Sequence, residues 1–92
     1  MRIYKTTENV FNAVDAVVEH GVAAVCGTKT PAVEFCDRII KALEPYDDIA
    51  PATGYENVPK HGYLYFVFDT TRFGSGRNGE LLSIVHEVAL KG

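Results

Sequence analysis

The chain has 92 residues, with 9 Lys and Arg against 12 Asp and Glu, which gives a formal charge of −3. This length predicts one domain over residues 1–92, and 47% hydrophobic with 23% charged residues excludes wholesale disorder. Net acidity argues against a duplex-DNA binder, which neutralises phosphates with Lys and Arg. No apolar run reaches the ~20 residues of a membrane span, and no signal peptide opens the chain. We therefore expect a cytoplasmic protein without membrane contact.

The first third of the chain predicts a strand, a helix and a second strand. Residues 1–5 indicate a short strand, and Thr6-Thr7-Glu8-Asn9 supplies side-chain oxygens suited to a helix start. We predict a helix over 7–20, ended by Gly21 in a left-handed conformation. Its apolar positions recur at three- and four-residue spacing: Val10, Phe11, Val14, Val17 and Val18. The apolar run 22–26 predicts a buried strand.

A second helix is predicted from Thr30-Pro31, because proline is well suited to the first turn of a helix, and it should end before Pro45. Its apolar stripe consists of Ala32, Phe35, Cys36, Ile39, Ile40 and Leu43. The prolines and glycines of residues 45–62 indicate an irregular loop, whose length suggests a functional segment or a short hidden element. Aromatic and β-branched residues at 63–68 predict a central strand.

The C-terminal segment 81–90 fits either type of secondary structure. Leu82, Ile84, Val88 and Leu90 alternate as in a strand, whereas Leu81, Ile84, Val85 and Val88 fit a helical face. Asn78-Gly79 is a strong hairpin signal, and together with the aromatic strand before it this favours a hairpin. We therefore predict an α+β fold with two helices packed on one face of a mainly antiparallel sheet of three to four strands, with 63–68 between 22–26 and 81–90.

The residue patterns that carry catalysis or metal binding are incomplete in this sequence. Gly27-Thr28-Lys29-Thr30 lacks the two spaced glycines of a phosphate loop, although a helix start there could hold an anion. His86-Glu87 is not followed by the second histidine of a zinc-protease motif. Cys26 and Cys36 lack the paired spacing of a zinc site and are interpreted as buried thiols. We expect no enzyme, no metal and no cofactor.

Two surface groups are candidates for partner binding. Glu8, Asn12, Asp15 and Glu19 follow one another at helical spacing opposite the apolar face, so they form an acidic stripe that could steer a basic partner or simply face solvent. The second group flanks the glycine-rich turn and consists of Arg72, Phe73 and Arg77. Arginine can bind phosphate and phenylalanine can stack on a base, so this turn could touch RNA or an acidic patch; a plain turn is the alternative.

Taken whole, the chain resembles small phage-encoded anti-CRISPR proteins, in particular inhibitors of type I surveillance complexes such as I-F. The stretches behind this resemblance are the acidic helix TTENVFNAVDAVVEH, the helix TPAVEFCDRIIKAL and the aromatic segment GYLYFVFDTTRFGSGRNGELLSIV. The resemblance implies a non-enzymatic protein of the bacterial cytoplasm that docks on Cas subunits, and in some cases on guide RNA. Such a protein stops target DNA from hybridising or entering. The resemblance assigns no role to individual residues of this chain.

Our leading hypothesis is therefore an inhibitor that blocks target DNA binding by a CRISPR–Cas complex through the acidic stripe and the arginine-flanked turn. A second hypothesis is a self-associating accessory or regulatory subunit that uses a sheet edge or the apolar part of 45–62. The third is a small nucleotide-binding protein or enzyme that uses the segment 27–30.

Overall fold

The computed structural model describes residues 2–58, 60–75 and 79–91. In chain order, the elements are β1 (Ile3–Lys5), α1 (Val10–His20), β2 (Val22–Cys26), α2 (Lys29–Ala42), β3 (Pro51–Val58), β4 (Gly62–Asp69), the one-turn helix α3 (Thr70–Phe73) and α4 (Gly79–Lys91). The predicted α+β class is confirmed. Within those ranges, every helix is too short or too polar to cross a bilayer.

The four strands form one mixed sheet in the order β1-β2-β4-β3. β1 runs parallel to β2, and α1 connects these two strands. β4 is antiparallel to both of its neighbours, with Ala24 opposite Phe66 on one side and Gly54 opposite Phe66 on the other. β3 and the much shorter β1 are therefore the two edges of the sheet.

α1 begins three residues later than predicted. Asn9 is its N-cap, and the Asn9 Oδ1 accepts a hydrogen bond from the Phe11 N–H at 2.9 Å. The predicted C-terminal glycine is confirmed: Gly21 has φ 86°, and its N–H donates to the Val17 carbonyl at 2.8 Å. α2 begins at Lys29 rather than Thr30, which places Pro31 within the first turn, where a missing N–H costs little.

α1 and α2 cover one face of the sheet and enclose the first core. This core joins apolar side chains of both helices to residues of all strands but β3: Tyr4, Val10, Ala13, Val14, Ala16, Val17, Ala23, Val25, Ala32, Phe35, Cys36, Ile39, Leu43 and Val67. Phe35 and Ile39 are at most 2% exposed. Most of the two predicted apolar faces thus packs on the sheet, but Phe11 and Val18 of the predicted α1 face are 62% and 40% exposed.

Residues 51–58 form the edge strand β3, so this part of 45–62 is not an irregular loop but the hidden element that the length of the segment suggested. The segment has no run of large apolar residues, because Gly54 and Glu56 stand on the same face as Ala52 and Val58. Gly54 is needed there: a Cβ atom at this position would lie 2.7 Å from the Phe66 ring on β4. A strand whose packing positions hold such residues does not show an alternating hydrophobic pattern.

Residues 81–90 belong to helix α4, so the predicted hairpin strand is wrong. Leu81, Val85, Val88 and Ala89 are buried at the spacing of a helical face. The other neighbour of β4 is β3, which leaves no place there for a C-terminal strand. Asn78, the first residue of the expected turn, lies outside the described residues.

The two predicted helices share one face of the sheet, and two helices that were not predicted, α3 and α4, cover the second face. The second core contains Val22, Val58, Leu64, Phe66, Phe68, Phe73, Leu81, Val85 and Ala89, with Cys26 partly buried against it. The aromatic strand β4 therefore contributes to both cores, as a strand that is apolar on both faces should.

Candidate functional site

Glu8, the first residue of the predicted stripe, precedes α1 and closes the turn that leads into it. One carboxylate oxygen accepts a hydrogen bond from Arg2 Nη1 and the other from the Lys5 N–H, each at 2.7 Å. The Lys5 N–H and then the Arg2 guanidinium hold the pKa of Glu8 below its ordinary value. Glu8 therefore lies outside the helical stripe. Both of its carboxylate oxygens are already hydrogen-bonded within the chain.

The remaining three residues of the stripe do share the outer face of α1. Asn12, Asp15 and Glu19 are exposed and line a shallow depression of about 310 Å³, which we call the acidic depression. Arg2 lies at its rim with its guanidinium carbon 4.3 Å from the centre of the Tyr4 ring. Within the described ranges, no Lys or Arg comes within ion-pair distance of the Asp15 or Glu19 carboxylate; the nearest basic group to Glu19 is His20, at 3.9 Å.

Arg72 lies beside the C-terminal end of α1 and not on a projecting hairpin. Arg72 Nη1 donates a hydrogen bond to the Glu19 carbonyl at 3.3 Å. A cation is favoured at this end of a helix, where carbonyl groups lack partners within the helix. The fold thus brings Arg72 to the backbone that carries the acidic depression, a proximity that the linear sequence does not indicate.

Phe73 is 5% exposed and belongs to the second core, so its predicted role in stacking on a base is wrong. The single turn of α3 directs its ring inward against Gly21, where a Cβ atom would lie 2.7 Å from the ring. Arg77, the last of the predicted binding residues, lies outside the described residues.

Asp69, which was not among the predicted site residues, organises the segment that carries Arg72 and Phe73. This carboxylate is 4% exposed, and its Oδ1 accepts hydrogen bonds from the Thr71 N–H, the Thr71 hydroxyl and the Ala50 N–H at 3.0, 2.7 and 3.2 Å. Burial alone would raise the pKa of Asp69, but the donors from Thr71 and Ala50 outweigh it and hold the pKa below the ordinary value. The signal available in the sequence was Asp-Thr-Thr, a typical N-cap.

Replacement of Asp69 by alanine is expected to lower the free energy of unfolding by about 1–3 kcal/mol at neutral pH, because the Thr71 and Ala50 donors lose their charged acceptor and α3 loses its N-cap. A lowered pKa in the folded state means that the ionised carboxylate stabilises the fold above the ordinary value of 3.8, and that this contribution disappears as the pH falls through the folded value. Urea unfolding at several pH values measures both effects. The exposed Asp47 is the matched control, and an equal loss in Asp47→Ala would contradict the prediction.

The most exposed aromatic group of the protein lies on β3 and β4, on the same side of the sheet as α2. The Tyr55 ring centre is 5.8 Å from that of Tyr63 and 6.1 Å from that of Tyr65. Tyr55 and Tyr63 are 67% and 54% exposed. These tyrosines line an open cleft of about 1110 Å³ that extends to Val33 on α2. The sequence alone does not reveal this group, because the composition of residues 51–58 is typical of a loop.

The candidates for a small-ligand site are dispersed in the fold. Gly27 has φ 146° and lies against the Thr6 side chain, so the segment 27–30 is a strand-to-helix turn in contact with the chain's own N-terminal part. Cys26 and Cys36 are free thiols. Burial raises the pKa of Cys36 to about 12, and the nearby Asp37 carboxylate adds to this effect. Among residues 2–58, 60–75 and 79–91, no group of three or more His, Cys, Asp or Glu side chains is placed to hold a metal ion.

No protein-family model matches this sequence, and searches of curated proteins and of solved structures also return no match. The function must therefore be argued from the chain's own surfaces, of which the acidic depression and the tyrosine-lined cleft are the two most distinctive.

Proposed function

We propose that this chain is a non-enzymatic inhibitor that binds a CRISPR–Cas protein–guide RNA complex and prevents target DNA from binding or hybridising. In this proposal the acidic depression contacts a Lys/Arg-rich surface on a Cas subunit. Target DNA needs such a surface for its own phosphates, so the inhibitor and the DNA compete for the same positive charges.

The observation that carries the proposal is the state of the two carboxylates in the acidic depression. Asp15 and Glu19 are exposed one helical turn apart on α1, and neither carboxylate pairs with a Lys or Arg of the described chain. Glu8, by contrast, is already neutralised by Arg2 at 2.7 Å. Asp15 and Glu19 are therefore the carboxylates of the stripe that remain open to cations from a partner.

A contact of this type acts mainly on the rate of association and on specificity. Opposite charges steer the encounter of two proteins, and salt weakens this steering because the Debye length falls from about 10 Å at 0.1 M to about 3 Å at 1 M. The affinity should therefore decrease steeply as the salt concentration rises. Arg72, which binds the Glu19 carbonyl, fixes the end of the helix that presents these carboxylates.

Reversal of both charges, Asp15→Lys with Glu19→Lys, is expected to weaken binding to the Cas complex by about tenfold or more, which corresponds to about 1.4 kcal/mol. The measurement is capture of purified type I surveillance complex on the immobilised protein, followed by a mobility-shift assay of target DNA binding. The matched control is Glu34→Lys with Glu44→Lys, which changes the net charge equally at one exposed position of α2 and one exposed position just after it.

Two results would count against the proposal. If the wild-type protein captures no Cas subunit from any type I complex tested, the inhibitor function is rejected. If it does capture the complex but both double variants lose affinity equally, the net charge of the chain determines binding and the acidic depression has no particular role.

A further inference from the structure

The outer edge of β3 carries a row of backbone groups without partners in the sheet. The Asp69 N–H donates to the Gly21 carbonyl and the Thr70 N–H donates to the Ala50 carbonyl, at 2.8 and 2.9 Å. Backbone groups alternate in direction along an antiparallel strand, so the even-numbered residues of β4 bond to β3 through the even-numbered residues of β3. The N–H and C=O groups of Thr53, Tyr55 and Asn57 therefore point away from the sheet.

This edge has few of the features that prevent pairing with another strand. β3 is eight residues long, whereas the opposite edge strand β1 has three. Proteins protect sheet edges with lysine, proline, bulges or covering segments. Here Pro51 lies only at the beginning of β3, its residues face those of β4 one to one, and none of them is a lysine. The tyrosine-lined cleft runs along the same strand and leaves Tyr55 67% exposed.

We propose that two copies of this chain associate through β3, antiparallel to each other, with the two-fold axis at Tyr55. Tyr55 then pairs with Tyr55 of the second copy, and Thr53 pairs with Asn57 in both directions. Each of these pairs exchanges two backbone hydrogen bonds. The two four-stranded sheets become one continuous sheet. This inference is independent of the proposed inhibitor function.

The sequence of β3 favours a two-fold axis at Tyr55 over an axis at a neighbouring residue. An axis at Thr53 or Gly54 brings Pro51, which has no N–H, opposite Tyr55 or Asn57 within the paired strands, whereas an axis at Tyr55 leaves Pro51 beyond the end of the partner β3. An axis at Glu56 brings the two Glu56 carboxylates directly opposite each other, and like charges in that position are destabilising. With the axis at Tyr55, Glu56 lies opposite Gly54 and Ala52 lies opposite Val58.

Charge and packing favour a second copy of this chain over an unrelated strand as the partner of the β3 edge. Glu56 is the only charged side chain of β3, and it lies 3.7 Å from His86 of its own chain, so the pairing of the two β3 strands brings no Lys or Arg of β3 into contact. Val33 on α2, 39% exposed, borders the same cleft and is available to the helices of the second copy. Exposed tyrosines and apolar side chains in one patch are typical of interface centres.

The first test is Thr53→Pro, which removes an outward N–H and leaves the hydrogen bonds to β4 in place. Thr53→Val keeps this N–H and a similar side-chain shape, and it is the matched control. Sedimentation equilibrium over a wide concentration range should show a dimer for the wild type and for Thr53→Val. For Thr53→Pro the dissociation constant should rise about tenfold or more, because each dimer loses two hydrogen bonds.

A second pair of variants keeps the proposal testable if proline disturbs the strand. Tyr55→Lys brings two ammonium groups together at the two-fold axis and should give a monomer, whereas Tyr55→Phe should remain a dimer. Circular dichroism establishes that each variant is folded. A wild-type protein that stays monomeric at all concentrations overturns the proposal. So does a folded Tyr55→Lys variant that dimerises as well as the wild type. Asp15→Lys with Glu19→Lys should leave dimerisation unchanged, which separates the two proposals.

Discussion

Replacement of Gly21 by alanine is expected to lower the free energy of unfolding by about 2–4 kcal/mol. Gly21 has φ 86°, a conformation that costs roughly 1–2 kcal/mol for a residue with a Cβ atom. The new methyl group would also lie 2.7 Å from the buried Phe73 ring and 3.0 Å from Arg72 Cδ. The side chain must therefore displace part of the second core as well as strain the backbone.

Gly62→Ala is the matched control for this prediction. Gly62 has φ 70°, but a Cβ atom there has no heavy atom within 4 Å among the described residues, so this substitution adds backbone strain alone. Urea unfolding followed by circular dichroism compares the two variants. Equal losses would show that Phe73 moves aside without cost. Conversely, Phe73→Leu should destabilise the Gly21→Ala protein less than it destabilises the wild type, because the shorter side chain relieves the crowding.

Glu87→Pro is expected to cost about 3 kcal/mol or more, because position 87 lies in the middle of α4. Proline removes the N–H that bonds to the carbonyl of Ser83, and its ring collides with that carbonyl. The broken helix would release Leu81 and Val85, both fully buried, from the face of the sheet.

Glu87→Ala is the control, since it also deletes whatever contacts the glutamate side chain makes but keeps the backbone N–H. Alanine has the highest helix propensity, so this variant should differ little from the wild type. Chemical unfolding of the two variants gives the difference attributable to the backbone. A difference below about 1 kcal/mol would contradict a helix through residue 87, because even an exposed interior proline costs more than that.

The parts of the fold that could be predicted are those in which apolar residues repeat with one period. Val10, Val14 and Val17 bury one face of α1, and Phe35 and Ile39 do the same for α2. β2 is short, apolar and bounded by glycines, and β4 is aromatic on both faces, so neither was ambiguous. In these segments the local pattern and the tertiary packing favour the same structure.

The parts that could not be predicted depend on neighbours that are distant in sequence. β3 is a strand because β4 supplies its hydrogen bonds and Phe66 fills the space above Gly54, and neither fact is visible in residues 51–58 alone. In 81–90, the apolar residues fit both the two-residue period of a strand and the 3.6-residue period of a helix. The turn signal Asn78-Gly79 favoured the strand, which was wrong. The position of β3 beside β4 excludes a strand there, but only the complete sheet reveals this.

In the candidate site, too, the local sequence pattern predicted some features, whereas others depend on residues distant in the chain. Helical spacing correctly placed Asn12, Asp15 and Glu19 on one exposed face. It could not show that Glu8 bonds to Arg2 or that the turn of α3 buries Phe73, because both outcomes depend on where the chain bends. The charge pattern of a helix is local information, whereas the partner of each charge is not.

The two cysteines lie on opposite sides of the sheet and differ in how far the fold shields them. Cys36 lies on the buried face of α2 in the first core, and Cys26, at the end of β2, is partly buried against the second core. With its pKa raised to about 12, Cys36 reacts with an alkylating reagent at neutral pH only when the helical layer opens. The labelling rate of Cys36 therefore measures how often the helical layer leaves the sheet, and the partly exposed Cys26 serves as an internal reference without any engineered probe.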